Sequence, residues 1–369
     1  MPGYCVKSCV IEQPEDIEQE WLDLQNRVDC SFFQSWGWIS IWLEKIALDY
    51  HPLVVRVWFE DTLVGMGIFV HKRIIRRLII HSEALFLNEY PFDGRNMVIE
   101  YNGLLADPSH QLAVYRETIA HLFQTCNSCN ELFFSALRST SPLIHVAGQI
   151  KGVALKILEE SSTWSVDLDG FKHGIDAYLA TLSKNRRAQI RRSIRLYEEQ
   201  GSLQIDEAGN AEAAQVFFDG LKELHTVRWK LKGLPGSFAN PLWEAFHRTL
   251  IHSRFAKGEV QLLKVSVSNQ VIGYIYNLIW RKRVYVLQTG FRIPEDNRLK
   301  PAYVSNALAI VHNKKKGMLV YDFMVGDSHY KKQLCDSSQK LYWMVIQRSQ
   351  LKFSLEDILL SVVRWCRRF

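Results

Sequence analysis

Val260–Gly290, VQLLKVSVSNQVIGYIYNLIWRKRVYVLQTG, is the stretch from which the fold is read. Three runs rich in Val, Ile, Leu and Tyr, at Val260–Val267, Val271–Trp280 and Arg283–Gly290, are broken only by short polar links, the pattern of consecutive antiparallel strands. A loop follows, then a helix at Pro301–Lys316 opened by its proline, a strand at Met318–Phe323, a short helix after Gly326 and a strand at Leu341–Gln347. Three antiparallel strands, the last feeding a helix and a further strand, place the region in the α+β class.

Upstream, helical spacing predicts helices at Pro241–Arg254 and Ala211–Leu231. A longer helical stretch covers Asp169–Tyr197, with Leu179, Leu182, Ile190, Ile194 and Tyr197 on an apolar stripe and Lys184, Arg187, Arg191 and Arg195 on a basic one. The first half is α+β as well. It reads as helices at Glu15–Val28, Ser31–Leu43 and Gln111–Thr125, strands Leu53–Phe59 and Leu63–Lys72 joined by Asp61 and Thr62, and β-rich runs at Ala84–Leu87, Met97–Glu100 and Glu131–Ala136. The expected division is an N-terminal domain over 1–165, a C-terminal domain over 166–350 with a linking basic helix at 176–200, and an amphipathic helix over 351–369. On that last helix Leu355, Ile358, Leu359, Val362 and Cys366 share a face.

The length of 369 residues suits two or three domains, and 47% apolar with 23% charged residues excludes a disordered or membrane-embedded body. The net charge is +6, and Lys184–Arg195 alone carries six basic residues (Lys184, Arg186, Arg187, Arg191, Arg192, Arg195) and no acid. Such a segment suits an anionic ligand; with no aromatic residue between the basic ones, nucleic acid is not expected. Seven scattered cysteines fit reduced thiols, and the pair Cys126 and Cys129 lacks a second ligand pair for zinc, so no metal is expected. The first residues show no secretory pattern and no run is apolar and long enough to span a bilayer. The expected location is cytoplasmic, with the C-terminal helix, ending in Arg364, Arg367 and Arg368, able to rest on the cytoplasmic face of an anionic membrane.

Four strings narrow the reading: IEYNGLL at Ile99–Leu105, LSKNRRAQIRRS at Leu182–Ser193, LHTVRWKLKGLPGSF at Leu224–Phe238 and YDFMVGDSHYKKQL at Tyr321–Leu334. Together they resemble the CelD-like, Fem-related (tandem) branch of the GNAT superfamily, over about Ser31–Gln347 and most strongly from Tyr178 onward. The resemblance implies two GNAT-like domains, each a mixed, mostly antiparallel sheet flanked by helices. It also implies transfer from acyl-CoA, acetyl-CoA or longer, used as a co-substrate with no permanently bound cofactor. The acceptor would be an amine, or less readily a hydroxyl, of a small molecule, a glycan or a cell-envelope lipid, attacking directly in a ternary complex. Two other readings stay open: a Fem-like transferase using aminoacyl-tRNA, and a catalytically silent subunit of a polysaccharide or lipid assembly. The second is kept alive by Pro301-Ala302, where family members commonly carry Pro-Gly.

The same plan puts the pyrophosphate cradle at Asn297–Ala302, where Arg298 and Lys300 add charge and Pro301 and Ala302 open the helix. It splays a strand near Gln288–Gly290 so that backbone N–H groups meet the thioester carbonyl, and it uses a tyrosine near Tyr330, beside Lys331, to protonate the leaving thiolate. Read from residue types, the proton acceptors are His225, Asp322 and Glu100. His225 shares a helix face with Arg228, a residue suited to orient an anionic acceptor. Asp322 alternates with Tyr321 and Phe323, so its carboxylate either acts as base or pairs with Lys331 or an Arg. Glu100 at a strand end, facing an interdomain cleft, either acts as base or ties the halves together. Arg187 and Arg191 either hold phosphates of CoA or of an anionic acceptor, or belong to a solvated face. Trp36, Trp38, Trp42 and the run Ile74–Ile80 either line an acyl groove or pack the core.

Overall fold

The structure, a computed structural model, describes residues 3–76, 80–94, 97, 99–326, 329–353 and 355–356. The chain forms two compact units: an N-terminal unit of Met1–Phe92, Asn96–Glu160 and Tyr342–Phe369, and a C-terminal unit of Asp93–Arg95 and Ser161–Leu341.

The N-terminal unit begins with β1 (Tyr4–Val10), α1 (Glu18–Arg27) and α2 (Trp36–Lys45). Then come β2 (Leu53–Phe59), β3 (Thr62–Arg76), β4 (Ile80–Leu87), the two-residue β5 (Leu105–Ala106), α3 (Gln111–Thr125), β6 (Cys129–Arg138), α4 (Leu143–Ala147) and β7 (Val153–Asp167). β1, β2, β3 and β4 pair antiparallel in that order, and β6 joins β4 in parallel. A parallel pair needs a crossover, which α3 supplies. α3 buries Val114, Ile119 and Leu122 in a core with Val55, Phe69, Leu132 and Phe134. α1 and α2 bury Trp21, Trp38 and Trp42, each 1% exposed or less. The tryptophans are core, each contributing roughly 2–3 kcal/mol of burial, and are closed to an acyl chain. Of the Ile74–Ile80 run, residues 77–79 lie outside the described ones and Ile75 faces solvent.

The C-terminal unit continues with α5 (Ile175–Thr181), α6 (Lys184–Glu198), β8 (Leu203–Glu207), α7 (Ala211–Leu231) and α8 (Pro241–Arg254). It ends with β9 (Val260–Val267), β10 (Gln270–Trp280), β11 (Arg283–Phe291), α9 (Pro301–Lys315), β12 (Val320–Val325), α10 (His329–Leu334) and β13 (Ser337–Arg348). β8, β9, β10 and β11 are antiparallel neighbours, β12 joins β11 in parallel, and β7 flanks β12 antiparallel. The part of β13 from Tyr342 on and the part of β7 up to Glu160 belong to the N-terminal unit, where β13 lies beside β6 and β7 beside β13.

Both units thus carry the mixed, mostly antiparallel sheet that the sequence implied. Three local expectations are corrected. The helical stretch over Asp169–Tyr197 is broken at Leu182–Ser183, where Ser183 Oγ accepts from Arg186 N–H and caps α6. Met97–Glu100 is not a strand: its described residues are irregular. β1, β7 and β8 add strands that the reading lacked. The expected helix over 351–369 lies mostly outside the described residues.

Candidate active site

The site in the C-terminal unit is shaped by where two strands part. β11 and β12 are registered only at Arg283–Val320, Val284–Tyr321 and Tyr285–Asp322, yet β11 runs six residues further to Phe291. In that extension the pairing with β10 slips by one: Tyr276 faces Gln288 while Asn277 faces Val286, leaving Leu287 as a bulge. Gly290 lets β11 close on α7, since a Cβ there would stand 2.6 Å from the Leu221 carbonyl oxygen. Gln288 Nε2 donates to Ser237 Oγ at 3.1 Å, and its Oε1 accepts from Thr289 N–H.

β11 then leads through residues 292–300 to the start of α9. Lys300 is the N-cap, Pro301 occupies the first turn, and the N–H groups of Tyr303 and Val304 both turn back to the Lys300 carbonyl. α6 packs on this turn: Lys300 N–H donates to Ser193 Oγ at 2.9 Å, and the Arg186 guanidinium lies 4.2 Å from the Tyr303 ring centroid. Arg298 is bound to Asp296, whose carboxyl it helps hold at about 2, with Arg192 acting on the same acid. Basic side chains from α6 and from the loop therefore meet at a helix N-terminus, where the dipole favours an anion.

The structure places the proton-transfer candidates differently. His225 is on α7, 2% exposed, between Trp229 and Phe238, and neither ring nitrogen has a hydrogen-bond partner among the described residues. Burial first, then the nearby Arg228 charge, push its pKa down to about 4, so the imidazole is neutral at pH 7. Gly236, with φ 68°, leaves room for the ring: a Cβ there would stand 2.7 Å from its Cε1. Asp322 is fully buried, with Oδ2 3.0 Å from Arg283 Nη1 and Oδ1 accepting from Met324 N–H at 2.7 Å. Those bonds make it a strand-end brace, and the arginine pairing is the one the sequence left open. Tyr330 packs edge-on against Tyr303 and Phe323. Lys331 Nζ donates to the Val325 carbonyl at 2.6 Å, at the end of β12. Arg191 pairs with Asp176 and Arg187 reaches the Ala180 carbonyl, so both lean toward α5.

The N-terminal unit has the same parting of strands and fills it with its own chain. β4 and β6 pair up to Phe86–Phe133, after which β4 ends and β6 continues to Arg138. Asn102 enters the gap: its N–H donates to the Ala136 carbonyl, it bridges to Leu137, and its Nδ2 donates to the Leu87 carbonyl at 2.9 Å. Asn102 Oδ1 accepts from Gly103 N–H and from Asn88 Nδ2, while Gln34 Nε2 donates to the Gly103 carbonyl. Asn88, at φ 54°, also exchanges bonds with the Ile68 backbone as a missing strand residue would. Asn102 and Gly103 of the IEYNGLL string thus form a main-chain plug, and Glu100, 5% exposed, lies two residues before Asn102 in the same string.

Sequence reasoning missed Arg186, Arg192 and Ser193 as neighbours of the α9 turn, although all three fall in the LSKNRRAQIRRS string. No group of His, Cys, Asp and Glu among the described residues is arranged to hold a metal, and no described helix is long and apolar enough to cross a membrane.

Residues 184–332 match the acetyltransferase (GNAT) domain family. No curated protein matches the chain in sequence. Among solved structures, FemX is similar at 10% identity and TM-score 0.61, covering 95% of this chain and 99% of that one. The C-terminal domain of a putative lysylphosphatidylglycerol synthetase from Agrobacterium fabrum is similar at 10% identity and TM-score 0.53, covering 95% and 97%. L-PGS from Bacillus licheniformis is similar at 9% identity and TM-score 0.53, covering 97% and 98%. At such identities the likeness is one of fold.

Proposed function

We propose, from the match of residues 184–332 to the acetyltransferase (GNAT) domain family and from a fold similar to that of FemX, that the C-terminal unit moves an acyl group from acyl-CoA to an amine. The observation that carries the reading is the parting of β11 from β12 after Tyr285 and Asp322, which leads directly into a basic helix N-terminus. The diphosphate of the co-substrate would lie at Lys300–Tyr303, with Pro301 and Ala302 allowing close backbone approach and Arg186, Arg192, Arg298 and Lys300 supplying charge.

The thioester carbonyl would lie along Gln288–Gly290, where a backbone N–H now held by the Gln288 amide exchanges its partner for the carbonyl oxygen. The acceptor nitrogen attacks the carbonyl carbon, the C–N bond forms and the C–S bond breaks. His225 is the favoured proton acceptor, because burial holds it neutral and its nitrogens lack partners, whereas Asp322 is committed to Arg283 and Met324. Tyr330 would return a proton to the thiolate. Arg228, the half-buried Arg187 and the exposed Arg191 would favour an acceptor that carries negative charge elsewhere, such as an envelope lipid or glycan. The setting would be cytoplasmic.

The test is acceptor-dependent release of free CoA from acyl-CoA, with calorimetry of CoA itself. Binding in the micromolar range that weakens at least tenfold in Lys300→Glu is expected. Absence of CoA binding by the full chain points to the silent-subunit reading, and product from aminoacyl-tRNA with none from acyl-CoA points to aminoacyl transfer.

A further inference from the structure

A second chemical environment lies in the N-terminal unit, on strands that the plug has closed to a thioester. Phe86, Phe133, Leu158, Trp343 and Met344 line a cavity of about 410 Å³, together with Pro91 and Ile99 from the segment after β4. Phe86 and Phe133 stack at 4.6 Å and 11°. Into this apolar space projects Glu89, 7% exposed, whose Oε1 accepts from the Ser135 hydroxyl. The other charged residue lining the cavity is Glu159, exposed on β7; no Lys, Arg or His lines it among the described residues. Lys72 is not among the lining residues; it donates to the Tyr90 hydroxyl and lies 5.5 Å over the Phe92 ring. Burial lifts the Glu89 carboxyl to about 7, opposed by the Ser135 bond, and no charged neighbour contributes.

A carboxyl without a cationic partner, set among aromatic faces, is a poor structural brace: removed from water, it gains one hydroxyl bond in return. The same surroundings are complementary to an arriving cation, which a carboxylate and ring faces attract together, and they repel anions such as CoA. We infer that this cavity is a second ligand site, one that takes a protonated amine carried on a compact apolar or aromatic body, with Glu89 as its counter-ion and Ser135 holding the carboxylate in place. The inference goes beyond the transfer reading and does not depend on it, since every lining residue belongs to the N-terminal unit.

Calorimetric titration of the full chain with phenethylamine, 2-phenylethanol and 3-phenylpropionate tests it, because the three probes share a ring and differ in the charge of the head. The amine should bind at least tenfold more tightly than the alcohol, and the acid should not bind. Affinity for the amine should tighten roughly tenfold from pH 6 to pH 8 as the free carboxyl ionises. Glu89→Gln keeps the shape and should abolish both the preference and the pH slope. Ser135→Ala, which removes a bond to the ionised form, should move the slope to higher pH. Equal binding of amine and alcohol, a slope that survives in Glu89→Gln, or no binding of any probe overturns the assignment; if Glu89→Gln does not fold, the position of the Ser135→Ala slope decides. Amine binding without CoA binding would leave this site standing while removing the transfer reading, and the reverse result would do the opposite.

Discussion

The N-terminal and C-terminal units part their parallel strands in the same way and treat the gap differently. Between β4 and β6 the chain inserts Asn102 and satisfies the strand ends with amide side chains, so the gap is part of the core. Beyond Tyr285 and Asp322 no main-chain segment among the described residues bridges β11 and β12, and the end of β12 is met by the Lys331 ammonium. A lysine on a flexible stem can swing aside, whereas a plug of backbone held by at least five hydrogen bonds cannot leave without unfolding its surroundings. One sheet plan thus yields a closed unit and a unit with an edge to offer.

The largest test of this contrast is pH. His225 and His247, both buried in the C-terminal unit, are pushed down to about 4 and about 3 by burial. Above the unfolded pKa of about 6.5 their contribution to stability is intact; as pH falls from there toward 4 the unfolded state binds the extra protons, and on the order of 3 kcal/mol is lost from this unit for each of the two histidines. Glu89 has the opposite sign. Its contribution is intact below about 4.5 and is lost as pH rises toward 7, on the order of 3 kcal/mol from the N-terminal unit. Hydrogen exchange followed unit by unit should show the two profiles crossing; parallel profiles would break the comparison.

Next in size is Asn102→Ala, which leaves the Leu87 carbonyl and the Asn88 and Gly103 donors without their partner. Urea unfolding should show a loss of about 3 kcal/mol, and on the acyl-CoA proposal the variant should take one CoA per chain, as the unaltered chain would. A second equivalent of CoA in this variant would mean that the plug alone separates the units. Lys300→Glu should cost about 1.4 kcal/mol or more of the proposed CoA binding, a tenfold change, and leave the unfolding midpoint unmoved because the side chain makes no hydrogen bond or ion pair among the described residues. Smallest is Asp296→Asn, which releases Arg298 from an exposed pair. CoA affinity should rise no more than a few-fold at low salt, and the gain should vanish at high salt, as expected for solvent-exposed charge.

How much of this could be read in the sequence follows from what kind of signal each part leaves. β9, β10 and β11 were legible because apolar runs and polar turns alternate cleanly, and Gln111–Thr125 because its periodicity is that of a helix. β7 was not, since VALKILEESSTWSVD spreads its apolar residues over a half-buried strand. Met97–Glu100 reads as a strand because the residues are apolar, but nearby backbone bonds are carried by Asn88, Asn102 and Gln34, and amide side chains leave no periodic trace. At the site, the proline after a strand and loop marked the α9 turn. The approach of Arg186 to Tyr303 and of Ser193 to Lys300 depends on how α6 docks, over a hundred positions away, which spacing does not encode. His225 was singled out by type, and its burial became visible only with Phe238 and Gly236 folded over it.

The division of β13 has a consequence for the order in which the molecule is made. The N-terminal unit takes back the strand residues from Tyr342 onward, so a ribosome that has delivered every residue up to Leu341 has released the whole C-terminal unit but left its older sibling one strand short. The part synthesised first is therefore the part finished last, and a chain cut before Tyr342 should expose the β6 edge to proteases while protecting Ser161–Leu341.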